Sequence, residues 1–166
     1  MKWRDSIRGQ LATVASELSS NGKHSEALAM LEKALLIDAK DPLVLVYHGS
    51  ILHALGRDNE AERSFREAID LKSDLSYAWS ELGLLLKDCE RFVESAECLR
   101  QSALLRPDCS TYTVMARVEL EFDPDASLRD ATRALELDPD WDEAIQIQNT
   151  AKQMVDRRNR GMNRDA

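Results

Sequence analysis

Three histidines, three cysteines and several closely spaced carboxylates are the residues of this chain best suited to chemistry. A zinc site would need two imidazoles one helical turn apart, or thiolates in Cys-x-x-Cys pairs, so that several ligands reach one ion. His24, His48 and His53 lack that spacing, and His48, beside Gly49, reads as a packed or capped histidine. Cys89, Cys98 and Cys109 stand nine and eleven residues apart, with no close pair. Cys98 reads as a core residue and the other two as loop thiols, all reduced. The pairs Glu119/Glu121 and Asp123/Asp125 have a spacing that acid–base catalysis could use, but they sit among charged and turn residues where solvated carboxylates are expected. The chain has no Gly-x-x-x-x-Gly-Lys phosphate loop, no His-Glu-x-x-His pair and no Gly-x-Ser-x-Gly turn. With no nucleophile, base and orienting group in view, the expectation is a protein that is not an enzyme and takes no cofactor and no metal.

The elements that would position these residues follow from a repeat. Gly22 recurs as Gly56, Glu26 as Glu60 and Glu94, Ala27 as Ala61 and Ser95, Leu31 as Phe65 and Leu99, and Ala34 as Ala68 and Ser102, each step being 34 residues. The same step joins Leu11, Leu45 and Trp79; Ala15, Gly49 and Gly83; Leu18, Leu52, Leu86 and Leu120; and Ile37, Leu71 and Leu105. Leu45, His48, Gly49 and Leu52 follow at three, one and three residues, the spacing of one helical face, and Ala61, Phe65 and Ala68 form the facing stripe. Gly49 and Ala61 would let two backbones approach while Leu52 and Phe65 fill the space beside them. Few glycines and prolines amid abundant Ala, Leu, Glu and Arg agree with an all-α chain. Asp41-Pro42, Asp123-Pro124 and Asp140-Trp141 read as helix starts, and Pro107 and Pro139 as stops. The spacing predicts helices over 5–20, 24–37, 42–54, 58–71, 76–88, 92–105, 110–121, 124–137 and 141–158.

Trp79, Leu82, Gly83, Leu86, Leu99 and Pro107, with Gly49, Ala61, Phe65 and Ala68 one repeat earlier, stand at the motif spacing of the tetratricopeptide repeat family, which residues 8–141 resemble. The resemblance implies a right-handed α-solenoid of about four helix hairpins, over 8–41, 42–75, 76–109 and 110–141, with a capping helix at 141–158 closing an array of residues 1–158. The fourth repeat departs from the pattern. Pro139 follows Pro107 by 32 residues, which suggests a two-residue deletion in the turn around Phe122-Asp123-Pro124, and Arg117 falls in the column of Gly49 and Gly83.

In this family the first helix of each pair lines a concave groove, so the resemblance implies a binding surface on those helices. The columns give Ala12, Thr13 and Ser16; Leu43, Val46, Tyr47, Ser50 and His53; Tyr77, Ser80, Glu81, Leu84 and Lys87; and Thr111, Val114, Met115, Val118 and Glu121. An apolar lining of this extent points to an apolar peptide or helix as ligand, with Tyr47 and Tyr77 as anchors, Met115 as an adaptable contact, and Glu81 and Lys87 setting orientation. The competing reading packs several of these side chains between neighbouring helices, or covers them with the chain's own terminus or a second copy. Chaperone-binding members of the family grip a terminal carboxylate with Lys, Asn and Arg. Here those positions hold Ala12, Ser16, Tyr47, Tyr77 and Glu81, so that mode is disfavoured.

Charge narrows the partners further. The formal net charge is -8, and because residues 151–166 carry five basic and two acidic groups, residues 1–150 carry -11. Such a surface repels a phosphate backbone, so nucleic acid is not an expected partner. No apolar run reaches membrane-spanning length, and a cytoplasmic location is the expectation. Arg157, Arg158, Arg160 and Arg164 mark a basic C-terminal end; residues 159–166 are expected to be a flexible tail, with binding to an acidic surface such as a second copy as the alternative. The leading function is a non-catalytic adaptor, scaffold or assembly factor. The alternative is a small cytosolic chaperone for a hydrophobic client, similar to the chaperones of secretion-system translocators, and a regulatory enzyme subunit is a third option.

Overall fold

The computed structural model describes the backbone of residues 2–38 and 40–162, and the side chains of residues 7, 9–38 and 40–160. Among the described residues it contains nine α-helices and no strand: α1 (Lys2–Ser20), α2 (His24–Ile37), α3 (Pro42–Ala54), α4 (Asp58–Leu71), α5 (Ser76–Asp88), α6 (Phe92–Leu105), α7 (Cys109–Glu119), α8 (Pro124–Leu137) and α9 (Asp142–Met162). This is the all-α helical repeat fold that the periodicity implies. Helix α9 continues to Met162, so the first residues of the expected tail are helical; Arg164 lies outside the described residues. The chain divides into two units, Met1–Leu85 and Leu86–Ala166. In a repeat array each hairpin packs on its sequence neighbours, so burial need not converge on one centre.

In the first unit α1 packs on α2 and α3, α2 on α3, and α3 on α4. The repeated columns form its core: Ala15, Ala27, Leu31, Ala34, Leu45, Leu52, Ala61, Phe65 and Ala68 are all buried. Gly49 meets Phe65 rather than Ala61 at the closest point, for a Cβ at Gly49 would stand 2.6 Å from Cε1 of that ring. The α1–α2 and α3–α4 turns share one hydrogen-bond pattern. Gly22 N–H donates to the Ser19 carbonyl at 2.9 Å and Lys23 N–H to Leu18 at 2.9 Å; Gly56 donates to His53 at 2.8 Å and Arg57 to Leu52 at 2.9 Å. This Schellman arrangement needs a left-handed residue, which Gly22 and Gly56 supply at φ 74°.

The second unit repeats the turn at Glu90 N–H to Lys87, 3.0 Å, and Arg91 N–H to Leu86, 2.9 Å, but a glutamate takes the left-handed position at φ 59°. Helices α2, α4 and α6 lack a side-chain N-cap at Lys23, Arg57 and Arg91. Instead these cations pair with Glu26, Glu60 and Glu94, three residues on. Asp41, Asp108 and Asp123 cap α3, α7 and α8 by accepting backbone N–H bonds. The Asp140-Trp141 start is corrected by one residue: α9 begins at Asp142, so Trp141 holds the flanking position, and the Asp140 N–H donates to Asp138.

The deletion in the fourth repeat is not in the turn around Phe122. Helix α7 has 11 residues where α3 and α5 have 13, and the turn that follows is four residues long, one more than its counterparts. The register of α7 therefore slips by one. Ala116, fully buried, takes the small-residue place, accepting a 2.7 Å hydrogen bond from Ser127, while Arg117 points outward and pairs with Glu143. The same slip puts Glu119, not Leu120, in the column of Leu52 and Leu86. Glu119 is fully buried; Oε1 accepts from Arg100 at 2.9 Å, and Oε2 has no donor. Burial, reinforced by the neighbouring Asp130 carboxylate and opposed by Arg100, pushes its pKa up to about 8.

Candidate peptide-binding surface

Chain regularity places the candidate residues, and burial sorts them. In the first unit Leu43, Tyr47 and Tyr77 are exposed, and Ser50, His53, Ser80, Glu81 and Leu84 half-buried. Val46 is fully buried and cannot line a surface, as are Met115 and, nearly so, Val118; Thr111 is buried as well. Met115 and Val118 pack with Ala96 and Leu99, so the adaptable contact expected of Met115 is a core contact. Thr111 is turned to the N-cap of α7, its hydroxyl donating to Asp108 at 2.6 Å. Column counting failed at these four because the stripe buried between successive hairpins is wider than one helical row. Val114 is half-buried and packs on that cluster, and Lys87 pairs with Asp88 at 3.0 Å. His53 is tied through Nδ1 to Asp58 at 2.7 Å.

Of what remains in the first unit, Tyr47, Ser50, Tyr77 and Glu81 come together. A cavity of about 300 Å³ is lined by Ala15, Ser16, Ser19 and Ser20 of α1, Tyr47, Ser50 and Ile51 of α3, and Tyr77 of α5. The Tyr47 and Tyr77 rings stand 6.2 Å apart at 59°, an inclined and exposed aromatic pair in the lining. Ser50 donates to Glu81 Oε2 at 2.7 Å, also lying 3.1 Å from the Val46 carbonyl four residues back. Burial raises the Tyr77 phenol pKa, with Glu81 and Tyr47 adding to the rise, so the ring hydroxyl remains protonated and neutral. Ser19 and Ser20 were missed by the column reading, although Ser16, Ser19 and Ser20 have the three-then-one spacing of a single helical face.

His48 Nδ1 lies 3.0 Å from the Ser64 hydroxyl, and burial lowers its pKa, keeping the ring neutral. Cys98 is buried and Cys89 exposed in a turn, whereas Cys109 is the first residue of α7 rather than a loop thiol. Among the described residues, no group of three or more His, Cys, Asp or Glu side chains could hold a metal ion, and no helix is long and apolar enough to cross a membrane.

Residues 11–41 and 47–75 match the tetratricopeptide repeat family. Over those two stretches the chain carries tetratricopeptide repeats. Among curated proteins, the cell division cycle protein 27 homolog A of Arabidopsis thaliana is 32% identical over 75 residues, 45% of this chain. The probable UDP-N-acetylglucosamine–peptide N-acetylglucosaminyltransferase SPINDLY of Solanum lycopersicum is 34% identical over 95 residues, 57% of this chain. The matched stretch spans 10% of the length of each of these relatives. Among solved structures, MamA from Desulfovibrio magneticus RS-1 superposes with a TM-score of 0.80 at 18% identity, covering 90% of this chain and 86% of that one. PilF of Pseudomonas aeruginosa gives 0.81 at 18% identity, covering 92% and 75%. At that identity the likeness is one of fold.

Proposed function

We propose that this tetratricopeptide repeat chain is a non-catalytic protein-interaction module that holds a peptide segment of a partner at the Tyr47–Tyr77 cavity of its first unit. Repeats of this family are in general protein-interaction elements. The observation that carries the assignment to this surface is the pair of exposed tyrosines over a hydroxyl-lined cavity, since large aromatic rings contribute most where they cover a pocket. Leu43 adds apolar surface on α3. A chaperone for a fully hydrophobic client is the weaker reading, because the lining left after Val46, Thr111, Met115 and Val118 are discounted is part aromatic and part hydroxyl.

The test is selection of a displayed random-peptide library on the wild-type chain, with Tyr47→Ala/Tyr77→Ala as the comparison. Both rings are at least a third exposed, so the double variant should keep the helical circular dichroism of the parent. Selected peptides should bind the variant about tenfold or more weakly, in line with the loss of two aromatic anchors. Equal binding to both chains would place the peptide site elsewhere.

A further inference from the structure

The cavity's hydrogen-bonding polarity says more about its occupant than its size does. Ser20 directs its hydroxyl proton to the Ser16 carbonyl at 2.7 Å. Ser50 has Glu81 at 2.7 Å and the Val46 carbonyl at 3.1 Å as acceptors for its own proton. With their protons engaged, both oxygens keep lone pairs that can accept from an occupant of the space they line. The Tyr77 phenol has Ser50 and Glu81 beside it as hydrogen-bonding neighbours. Behind this wall, Glu81 is half-buried, and among the described residues no cation pairs with it. Two exposed tyrosine rings inclined at 59° complete the lining. The site thus combines hydroxyl acceptors, aromatic rings and an uncompensated carboxylate.

We infer that the occupant of this cavity is a cationic side chain, Lys or Arg, presented by a partner peptide. Its positive head lies against the Tyr47 and Tyr77 rings and the hydroxyl oxygens, with the Glu81 charge behind them, while its methylene stem covers Ala15 and Ile51. Rings attract a cation through their quadrupoles, and more strongly once water is displaced. A cavity of about 300 Å³ lies at the small end of ligand pockets, a fit to one side chain rather than to a helix. Charge complementarity extends beyond the site, since residues 1–150 carry a net -11. The chain places an arginine against a tyrosine elsewhere: Arg133 lies 5.9 Å from the Tyr112 ring centroid.

This inference rests on the proposed peptide site, and the experiment separates the two. The full chain, with its tyrosine ring signals followed by NMR, is titrated with three probes of equal stem length: n-butylguanidinium, n-butylurea and n-butyl carboxylate. The guanidinium should shift the Tyr47 and Tyr77 signals and bind at least about tenfold more tightly than the urea, a factor within the range of a partly desolvated cation–π contact. The carboxylate should leave the rings unmoved. Glu81→Gln, whose amide oxygen still accepts from Ser50, should remove most of the guanidinium preference while keeping the urea affinity. Equal binding of guanidinium and urea overturns the inference. If the peptide selection then yields neutral peptides that need the tyrosines, the interaction site stands and only its cationic specificity falls. A concentration-dependent dimer that dissociates in Glu81→Gln would assign the cavity to a second copy and overturn a separate partner.

Discussion

Two single positions carry conformational costs that can be measured. Glu90 occupies the left-handed place that Gly22 and Gly56 fill in the preceding turns, where a Cβ clashes with the backbone. Glu90→Gly should stabilise the chain by about 0.5–1 kcal/mol, the relief of strain being partly offset by a more flexible unfolded state. A urea midpoint that fails to rise would mean that the Glu90 side chain compensates locally. At Gly49 the conflict runs the other way. The Phe65 ring fills the space a methyl group would need, so Gly49→Ala should destabilise by roughly 1–3 kcal/mol, and Phe65→Leu in the same chain should recover part of that loss. Whereas the break in the Gly22 and Gly56 column at Glu90 went unread, the 34-residue step made Gly49 and Phe65 visible, because both stand in repeated columns. Their direct contact was not legible, since a column fixes the face of a helix but not which facing residue it meets.

Helix-level features were legible wherever local chemistry set them. Asp41 and Asp123, each followed by proline, mark true helix starts, and Asp41→Ala should cost about 1 kcal/mol through loss of the bonds from Leu43 and Val44, checked by thermal unfolding. Helix α7 was legible only in part. Its length change is shared with the loops on either side, so counting from proline to proline gave the size of the deletion but not its place. That slip put Glu119 in a leucine column, and with it a pH dependence. A carboxyl whose pKa rises on folding binds more protons in the folded state, so stability should fall as pH climbs from about 5 to about 8 and show no further loss from this group above that. Two carboxylates cannot hydrogen-bond without a proton, and Glu119→Gln supplies an amide for Asp130 while keeping an acceptor for Arg100. The variant should unfold at a higher temperature than wild type at pH 8 and show a flatter profile below it. A parallel slope in both chains would assign the pH dependence to other groups.

At the scale of the molecule, the all-helical repeat fold was the most legible feature and the division between exposed and buried columns the least. Repetition constrains every hairpin alike, so errors in one helix are corrected by its counterparts. A surface has no such redundancy: Leu43, Tyr47 and Tyr77 were read correctly as exposed, whereas Val46, one residue from Tyr47, is core. The charge of the whole chain makes a prediction of its own. With a net -8, association of a cationic peptide with the proposed cavity should be steered, so raising salt from about 0.02 M to about 0.2 M should slow the association rate several-fold with a smaller change in dissociation. Stopped-flow measurement of both rates checks this, and a salt-independent association rate would remove long-range attraction from the account.

The turns joining α1 to α2, α3 to α4 and α5 to α6 are closed by bonds spanning no more than five residues, Leu18 to Lys23, Leu52 to Arg57 and Leu86 to Arg91. Each such joint is therefore complete in itself, whatever precedes or follows it. A recombination event that crosses over inside one turn and resumes at the same place in another restores the joint intact, adding or removing 34 residues without a scar. Array length in a lineage built on this joint is free to change in whole cassettes. The fourth repeat, with its slipped register and its buried acid, is the one whose joint would not match such an exchange.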